Sequence, residues 1–160
     1  MRIWMLFMLL VLNLAGCLRT TTPYGNFTSN SISFDEKIAR DTVKQIVALD
    51  PPANTRFDLK QAVPDTDIFG TTLVSELRNK GYAILELKPG KTKLDNHAIA
   101  ELATASKKAV ASFDLRYILD QQGKSNLLHV MVMIDRQSLA RAYIVQQASI
   151  FPAGSWVRKE

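Results

Sequence analysis

The sequence contains one cysteine, Cys17, among 160 residues, so no intramolecular disulfide can form. A domain built from this chain must depend on its packed core, even in an oxidising compartment. Hydrophobic residues make up 47% of the chain and charged residues 22%, which is the composition of a folded domain and not of a disordered one. At this length the chain has room for one compact domain with a tail.

The sequence also lacks any run of five or six like charges, although its formal net charge is +5. Lys and Arg are scattered and do not alternate with aromatic residues as they do in a nucleic-acid groove. A surplus this small suits a solvated face or a contact with acidic headgroups as well as a weak attraction to DNA. We therefore expect no direct binding to nucleic acid.

Motifs for nucleophilic catalysis and phosphate binding are missing as well. No Gly-x-Ser-x-Gly elbow occurs. Gly-Lys-Thr at 90–92 ends like a phosphate-binding loop, but Leu85 stands where that motif needs its first glycine, so we expect Lys91 to lie in a β-turn. Asp114 and Asp120 share a strand face at roughly 20 Å, too far apart for paired carboxylate chemistry. The sequence predicts no catalytic residue, and we expect a protein that is not an enzyme.

The only histidines, His97 and His129, do not have metal-site spacing. His97 and Glu101 are four residues apart, which suits a surface pair better than a catalytic dyad. His129 alternates with Met131 and Met133, where a soft copper site is conceivable, but methionine is more commonly adaptable filler on a strand face. We expect His129 to be a partly buried structural residue, and we predict no metal and no cofactor.

The N-terminus has the pattern of a lipoprotein leader. After Arg2, residues 3–12 are uninterrupted apolar, which is too short for a spanning helix of about 20 residues but suits a signal peptide. Leu14-Ala15-Gly16-Cys17 then matches a lipobox, which predicts cleavage before Cys17 and acylation of its thiol. Leu18 follows instead of the Asp associated with inner-membrane retention, which favours the outer membrane, facing the periplasm. We assign residues 1–16 to the signal peptide, 17–31 to the acylated cysteine and a flexible tether, and 32–160 to a periplasmic domain.

Two aromatic residues, Tyr24 and Phe27, stand in the otherwise polar tether. They suit either a foothold on the lipid interface or docking onto a partner, and the sequence favours neither.

Periodicity predicts an α+β domain with two helices on a mainly antiparallel sheet. The first helix starts at Ser33, with Glu36 completing a capping box, and ends before Pro51. The second follows residue 64 and ends at Gly81. Strands are predicted at 55–60, 83–87, 112–121, 127–134 and 139–148, the last three forming a meander. Residues 91–108 are predicted to be a polar loop or a short surface helix.

The chain ends with Trp156 and Arg158 close to its C-terminus, where residues are ordinarily polar and poorly ordered. Trp156 could cover the domain's own core, the interpretation that we favour. Alternatively, Trp156 and Arg158 could anchor a neighbouring subunit, because Trp and Arg are enriched at binding hot spots.

Several blocks of the chain resemble the TrbH lipoprotein family of conjugative plasmids. The most specific are Pro-Pro-Ala-Asn-Thr-Arg-Phe at 51–57 and Trp-Val-Arg-Lys-Glu at 156–160. Further matching blocks lie at residues 14–17, 22–27, 41–45, 69–70, 77–82 and 137–143.

The resemblance implies a structural component of a mating-pair-formation apparatus, which is a type IV secretion system for plasmid DNA. It implies a membrane anchor through lipid at Cys17, partners among the other subunits of the secretion core complex, and a hetero-oligomeric assembly. The alternative is a lipid-anchored periplasmic module that binds peptidoglycan or a small ligand.

Overall fold

A computed structural model describes residues 24–29, 31–86 and 111–160. It confirms the predicted α+β class: two α-helices accompany an eight-stranded, mostly antiparallel sheet. In chain order the elements are β1 (Gly25–Asn26), α1 (Ile32–Leu49), a 3-10 turn (Pro52–Asn54), β2 (Thr55–Leu59), α2 (Ile68–Asn79), β3 (Ala83–Glu86), β4 (Ala111–Gln121), β5 (Leu127–Ile134), β6 (Gln137–Gln146), β7 (Ser149–Pro152) and β8 (Val157–Lys159).

The strands lie in the order β3-β2-β4-β5-β6-β7, with β1 beside β4 and β8 beside β6. The N-terminal part is parallel, since β3 pairs with β2 and both β2 and β1 pair with β4 in that sense. The remaining pairs are antiparallel. Parallel neighbours need a crossover, and α2 supplies the one between β2 and β3.

Helix α1 forms because its apolar residues recur on one face, where Ile38, Val43 and Ile46 are fully buried. Its N-cap is Ser31 and not Ser33, and no side chain caps it, so the predicted capping box is wrong. Ser33 lies inside the first turn, where its hydroxyl contacts that of Ser31 at 3.0 Å instead of the backbone.

Helix α2 is capped by Asp67, whose carboxylate accepts a hydrogen bond from the Gly70 backbone N–H at 2.9 Å. It is followed by Gly81 at φ +95°, a conformation that glycine adopts without strain. Its apolar stripe packs Phe69, Leu73 and Leu77 into the core, where all three are fully buried.

The core lies between the helices and one face of the sheet. Strand residues alternate, so every second side chain points to the helices. These inward residues are Phe57, Leu59, Leu115, Tyr117, Leu119, Leu128, Val130, Val132, Leu139 and Tyr143, all buried. The opposite side of the sheet, which no described helix covers, is called the open face below.

Two chain ends differ from the sequence prediction. Residues 24–29 were assigned to the tether, yet Gly25 and Asn26 form β1, because an edge position beside β4 is left free beyond the end of β2. At the other end, β7 and β8 extend the expected three-stranded meander, since both pair with β6. The predicted loop at 91–108 lies outside the described residues. Within the ranges described, no helix has the length and apolarity that crossing a bilayer requires.

Candidate interaction surface

The C-terminal strands form one edge of the sheet. Strand β7 pairs with residues 143–146 of β6 and β8 with residues 138–140, so both run along the same side of β6. Between them, residues 153–156 bulge outward while the Ala153 N–H donates to the Ala142 carbonyl at 2.9 Å. The end of the chain is therefore part of the sheet.

Arg141 connects this edge to helix α1. It lies on the same side of β6 as the inward residues Leu139 and Tyr143, and its Nη1 donates to Asp41 Oδ2 at 2.8 Å. Its Nε donates to the Gly154 carbonyl at 2.8 Å. The Tyr143 hydroxyl donates to the same Asp41 oxygen at 2.6 Å, and burial with this carboxylate neighbour raises the pKa of Tyr143. Helix, sheet and C-terminal bulge are thus held by one ionic network.

Trp156 lies half-buried against the core, with the Arg141 guanidinium 5.8 Å from its ring centroid. This distance suits a cation–π contact. Arg158, in contrast, is exposed and forms an ion pair with Glu160 at 2.8 Å. The arrangement places Trp156 beside the domain's own core and leaves Arg158 available at the surface. The interface role of either residue stays a prediction.

The start of the described chain is also attached to the sheet. The Arg116 guanidinium lies 5.5 Å from the centroid of the Tyr24 ring. The Asn26 side chain points the other way and donates to Asp35 Oδ2 in α1 at 2.7 Å. The Phe27 N–H donates to the Leu119 carbonyl at 2.8 Å, while 57% of Phe27 remains exposed. Tyr24 therefore has an intramolecular partner, whereas the Phe27 side chain remains largely in solvent.

Asp35 is buried, with 5% of its surface exposed. Burial raises its pKa, the hydrogen bond from Asn26 opposes that shift, and the nearby Asp67 carboxylate adds to it. Its Oδ1 finds no hydrogen-bond partner among the described residues. A carboxylate in this position costs stability whenever it is ionised.

A second polar cluster lies at the start of α2. The Tyr117 hydroxyl donates to Asp67 Oδ2 at 2.6 Å, and the Tyr117 N–H donates to Gln61 Oε1 at 2.8 Å. Burial, together with the hydrogen bond to Asp67, raises the pKa of Tyr117. Because Gly70 approaches this hydroxyl closely, the cluster leaves no room for a side chain there.

His129 lies on the open face, where its Nδ1 is 3.7 Å from Asp120 Oδ1 and its side chain is 41% exposed. The burial of His129 is intermediate, so the residue is partly buried on this face of the sheet. No cluster of three or more potential metal ligands is found in the part of the chain that the structure describes. Lys91, His97 and Cys17 lie outside the described residues.

Comparison with known proteins gives one family. The model of the family described as Conjugal transfer protein TrbH matches residues 21–160. The chain belongs to the TrbH family. No curated protein and no solved structure gives a match. Membership makes the chain a component of conjugal transfer, and such a component is consistent with a place in the cell envelope.

Sequence reasoning missed the residues that hold this TrbH domain together most specifically. Arg141 offered a signal, since it alternates with Leu139 and Tyr143 at an inward position of a predicted strand. An inward arginine requires a hydrogen-bond acceptor on the same side of the sheet. The acceptor, Asp41, is 100 residues away in the chain, so only the fold identifies it.

Proposed function

We propose that this chain is an outer-membrane lipoprotein, acylated on Cys17 and facing the periplasm, which serves as a structural and assembly subunit of a conjugative type IV secretion apparatus. Its partners are the other subunits of the core complex, in a hetero-oligomeric assembly. The domain would hold its place by lipid and by protein contacts, without catalysis.

The observation that carries the proposal is the juxtaposition of two signals in the sequence. Leu14-Ala15-Gly16-Cys17 stands at the end of an apolar leader, and the TrbH match begins at residue 21, directly after it. The part of the chain that the family recognises thus lies entirely within the part that would remain after cleavage at the lipobox.

The folded domain suits an assembly role because both of its ends are fixed in one sheet. The N-terminal side is held by β1 and the Asn26–Asp35 hydrogen bond, and the C-terminal side by the Arg141–Asp41 ion pair. Because both described ends are held in the sheet, the folded structure between them would keep a partner subunit at a fixed position relative to the start of the domain. Its open face and exposed edge remain available for contacts.

Lipid attachment is tested with Cys17→Ser in a mating-competent strain fed with labelled palmitate. Serine offers no thiolate for the lipid transfer, so we expect no label and an accumulation of precursor. The matched control is Thr20→Ser, a similarly small change three residues along the chain, which should be labelled like the wild type. Incorporation of palmitate into Cys17→Ser would refute the proposed anchor.

The assembly role is tested by affinity purification from cross-linked membranes of the same strain. We expect other transfer subunits to be recovered with the wild type, and fewer with Cys17→Ser. Recovery of peptidoglycan fragments without transfer subunits would instead support the binding-module alternative.

A further inference from the structure

The open face of the sheet is apolar at its centre. One cross-strand row runs through five strands and contains Gly25, Ile118, Met131, Ala140 and Val157. An antiparallel sheet with one solvated face ordinarily alternates apolar inward with polar outward residues. Here the outward positions of the central strands break that rule.

A second apolar row lies on the same face, separated from the first by the row of Asp120, His129 and Ala142. It contains Leu127, Ile144 and Phe151, which oppose one another on β5, β6 and β7. Phe151 and Val157 are 49% and 63% exposed. Leu85 also belongs to this face, opposite Asp58, and is 38% exposed. Most of the large exposed apolar side chains of the described residues therefore lie on one side of the molecule.

The chain enters the domain on this same side. Gly25 opposes Ile118 on the open face, and Tyr24 lies against Arg116, another open-face residue. Asn26 points to the helices, so by alternation Phe27 returns to the open face. The first residues of the domain thus add two aromatic rings beside the apolar rows.

Chain length limits how far this face can be from the anchor. Six residues separate Cys17 from Tyr24, and a fully extended chain gains at most about 3.6 Å per residue, so the reach is roughly 25 Å. The apolar row crosses four strand spacings of about 4.8 Å, or roughly 19 Å. A lipid anchor at Cys17 therefore keeps Tyr24, at the start of the domain, within roughly 25 Å of the lipid, a distance similar to the length of the apolar row.

The geometry points to a phospholipid surface as the occupant of this face: we propose that the open face, with Phe27, Phe151 and Val157 in contact with the bilayer, orients the domain on the membrane that holds its lipid. This rests on the proposed acylation of Cys17. Charges of both signs accompany the apolar rows, with Arg116 and Lys159 along one side and Asp120 between the two rows, so the contact is chiefly apolar and not a polybasic attraction.

The test uses the acylated mature protein in vesicles of three parts phosphatidylethanolamine to one part phosphatidylglycerol, with or without brominated acyl chains, which quench nearby tryptophan. Trp156 is the one tryptophan remaining after cleavage and gives a common baseline. Phe151→Trp and Val157→Trp each add an indole to the open face. Lys37→Trp is the matched control, because it adds an exposed indole to α1 on the opposite side.

We expect brominated lipid to lower the emission of Phe151→Trp and Val157→Trp by at least a quarter more than that of the wild type, and to leave Lys37→Trp at the baseline. Two open-face positions keep the test decisive if one variant fails to fold. Equal quenching at all three positions, or none, would overturn the orientation. A blue shift that appears without bromine and grows with protein density would assign the face to a second copy and overturn it too. Palmitate labelling separates these outcomes from failure of the anchor itself.

Discussion

Replacing Gly70 by alanine tests whether the polar cluster at the start of α2 is packed as described. A Cβ at this position would lie against the Tyr117 hydroxyl oxygen far inside contact distance, 2.7 Å from Val63 Cγ1 and 2.9 Å from Tyr117 Cζ. The Tyr117 ring is not free to move, because Tyr117 is fully buried and its hydroxyl is bonded to Asp67. The added methyl group must therefore displace the ring or the helix.

The magnitude follows from opposing terms. Alanine in place of glycine within a helix gains up to about 1 kcal/mol. Overpacking costs about 1–3 kcal/mol, and losing the hydrogen bond between Tyr117 and the buried Asp67 carboxylate costs about 1–3 kcal/mol more. We expect a net loss of about 2–4 kcal/mol in the free energy of unfolding, which lowers Tm by about 10 °C for a domain of this size.

Thermal melting followed by circular dichroism measures the effect. Gly154→Ala is the matched control, since nothing lies within 4 Å of its Cβ position and its φ is not positive, so its melting temperature should stay within about 2 °C of the wild type. If Gly70→Ala melts like Gly154→Ala, the close approach of helix and tyrosine described here is wrong.

Four further substitutions test the other contacts by the same melting assay. Asp35→Asn should raise Tm by a few degrees at neutral pH, because the pKa of Asp35 in the folded state is raised. The protonated Asp35 carboxyl supports the fold at low pH, and this contribution to stability is lost as the pH rises through that pKa. The gain should vanish below about pH 4, where the unfolded chain is protonated too, and a gain that persists there would refute the electrostatic cause. Tyr143→Phe should cost about 1–2 kcal/mol by removing the donor to Asp41, with Asp41→Asn separating the charge from the hydrogen bond. Trp156→Ala should lower the free energy of unfolding by about 2 kcal/mol, roughly half the loss at a fully buried tryptophan, because Trp156 is only partly buried. A melting temperature equal to that of the wild type would instead support the hypothesis that Trp156 lies in an interface.

The long elements could be predicted because their patterns are local. Helices α1 and α2 present apolar residues at helical spacing, and β4 alternates through Leu115, Tyr117 and Leu119, all of which are fully buried. Prolines and Gly81 mark the boundaries by backbone restrictions that the sequence displays directly. Consequently the fold class and most of the element order follow from the sequence.

The short strands could not be predicted because tertiary contacts define them. Strand β1 has two residues, one of them a glycine, and exists only because β4 extends beyond β2 and offers it a free edge. Strands β7 and β8 are separated by a bulge that Arg141 stabilises from another strand. Composition assigns such segments to a tether and a tail, since isolated two- or three-residue strands have no stability of their own.

Mutations on the two faces of the sheet should therefore have different effects, which neither the sequence nor the fold class alone would indicate. Polar residues with specific partners, such as Asp67 and Arg141, lie on the helix side, where a change removes buried or partly buried hydrogen bonds and lowers stability. Apolar residues without a described partner, such as Phe151 and Val157, lie on the open side, where a change alters exposed area and leaves the core intact. Among the described sheet residues with large apolar side chains, a variant that melts normally but fails in conjugal transfer should consequently map to the open face, where an exposed side chain can contribute to assembly without supporting the core.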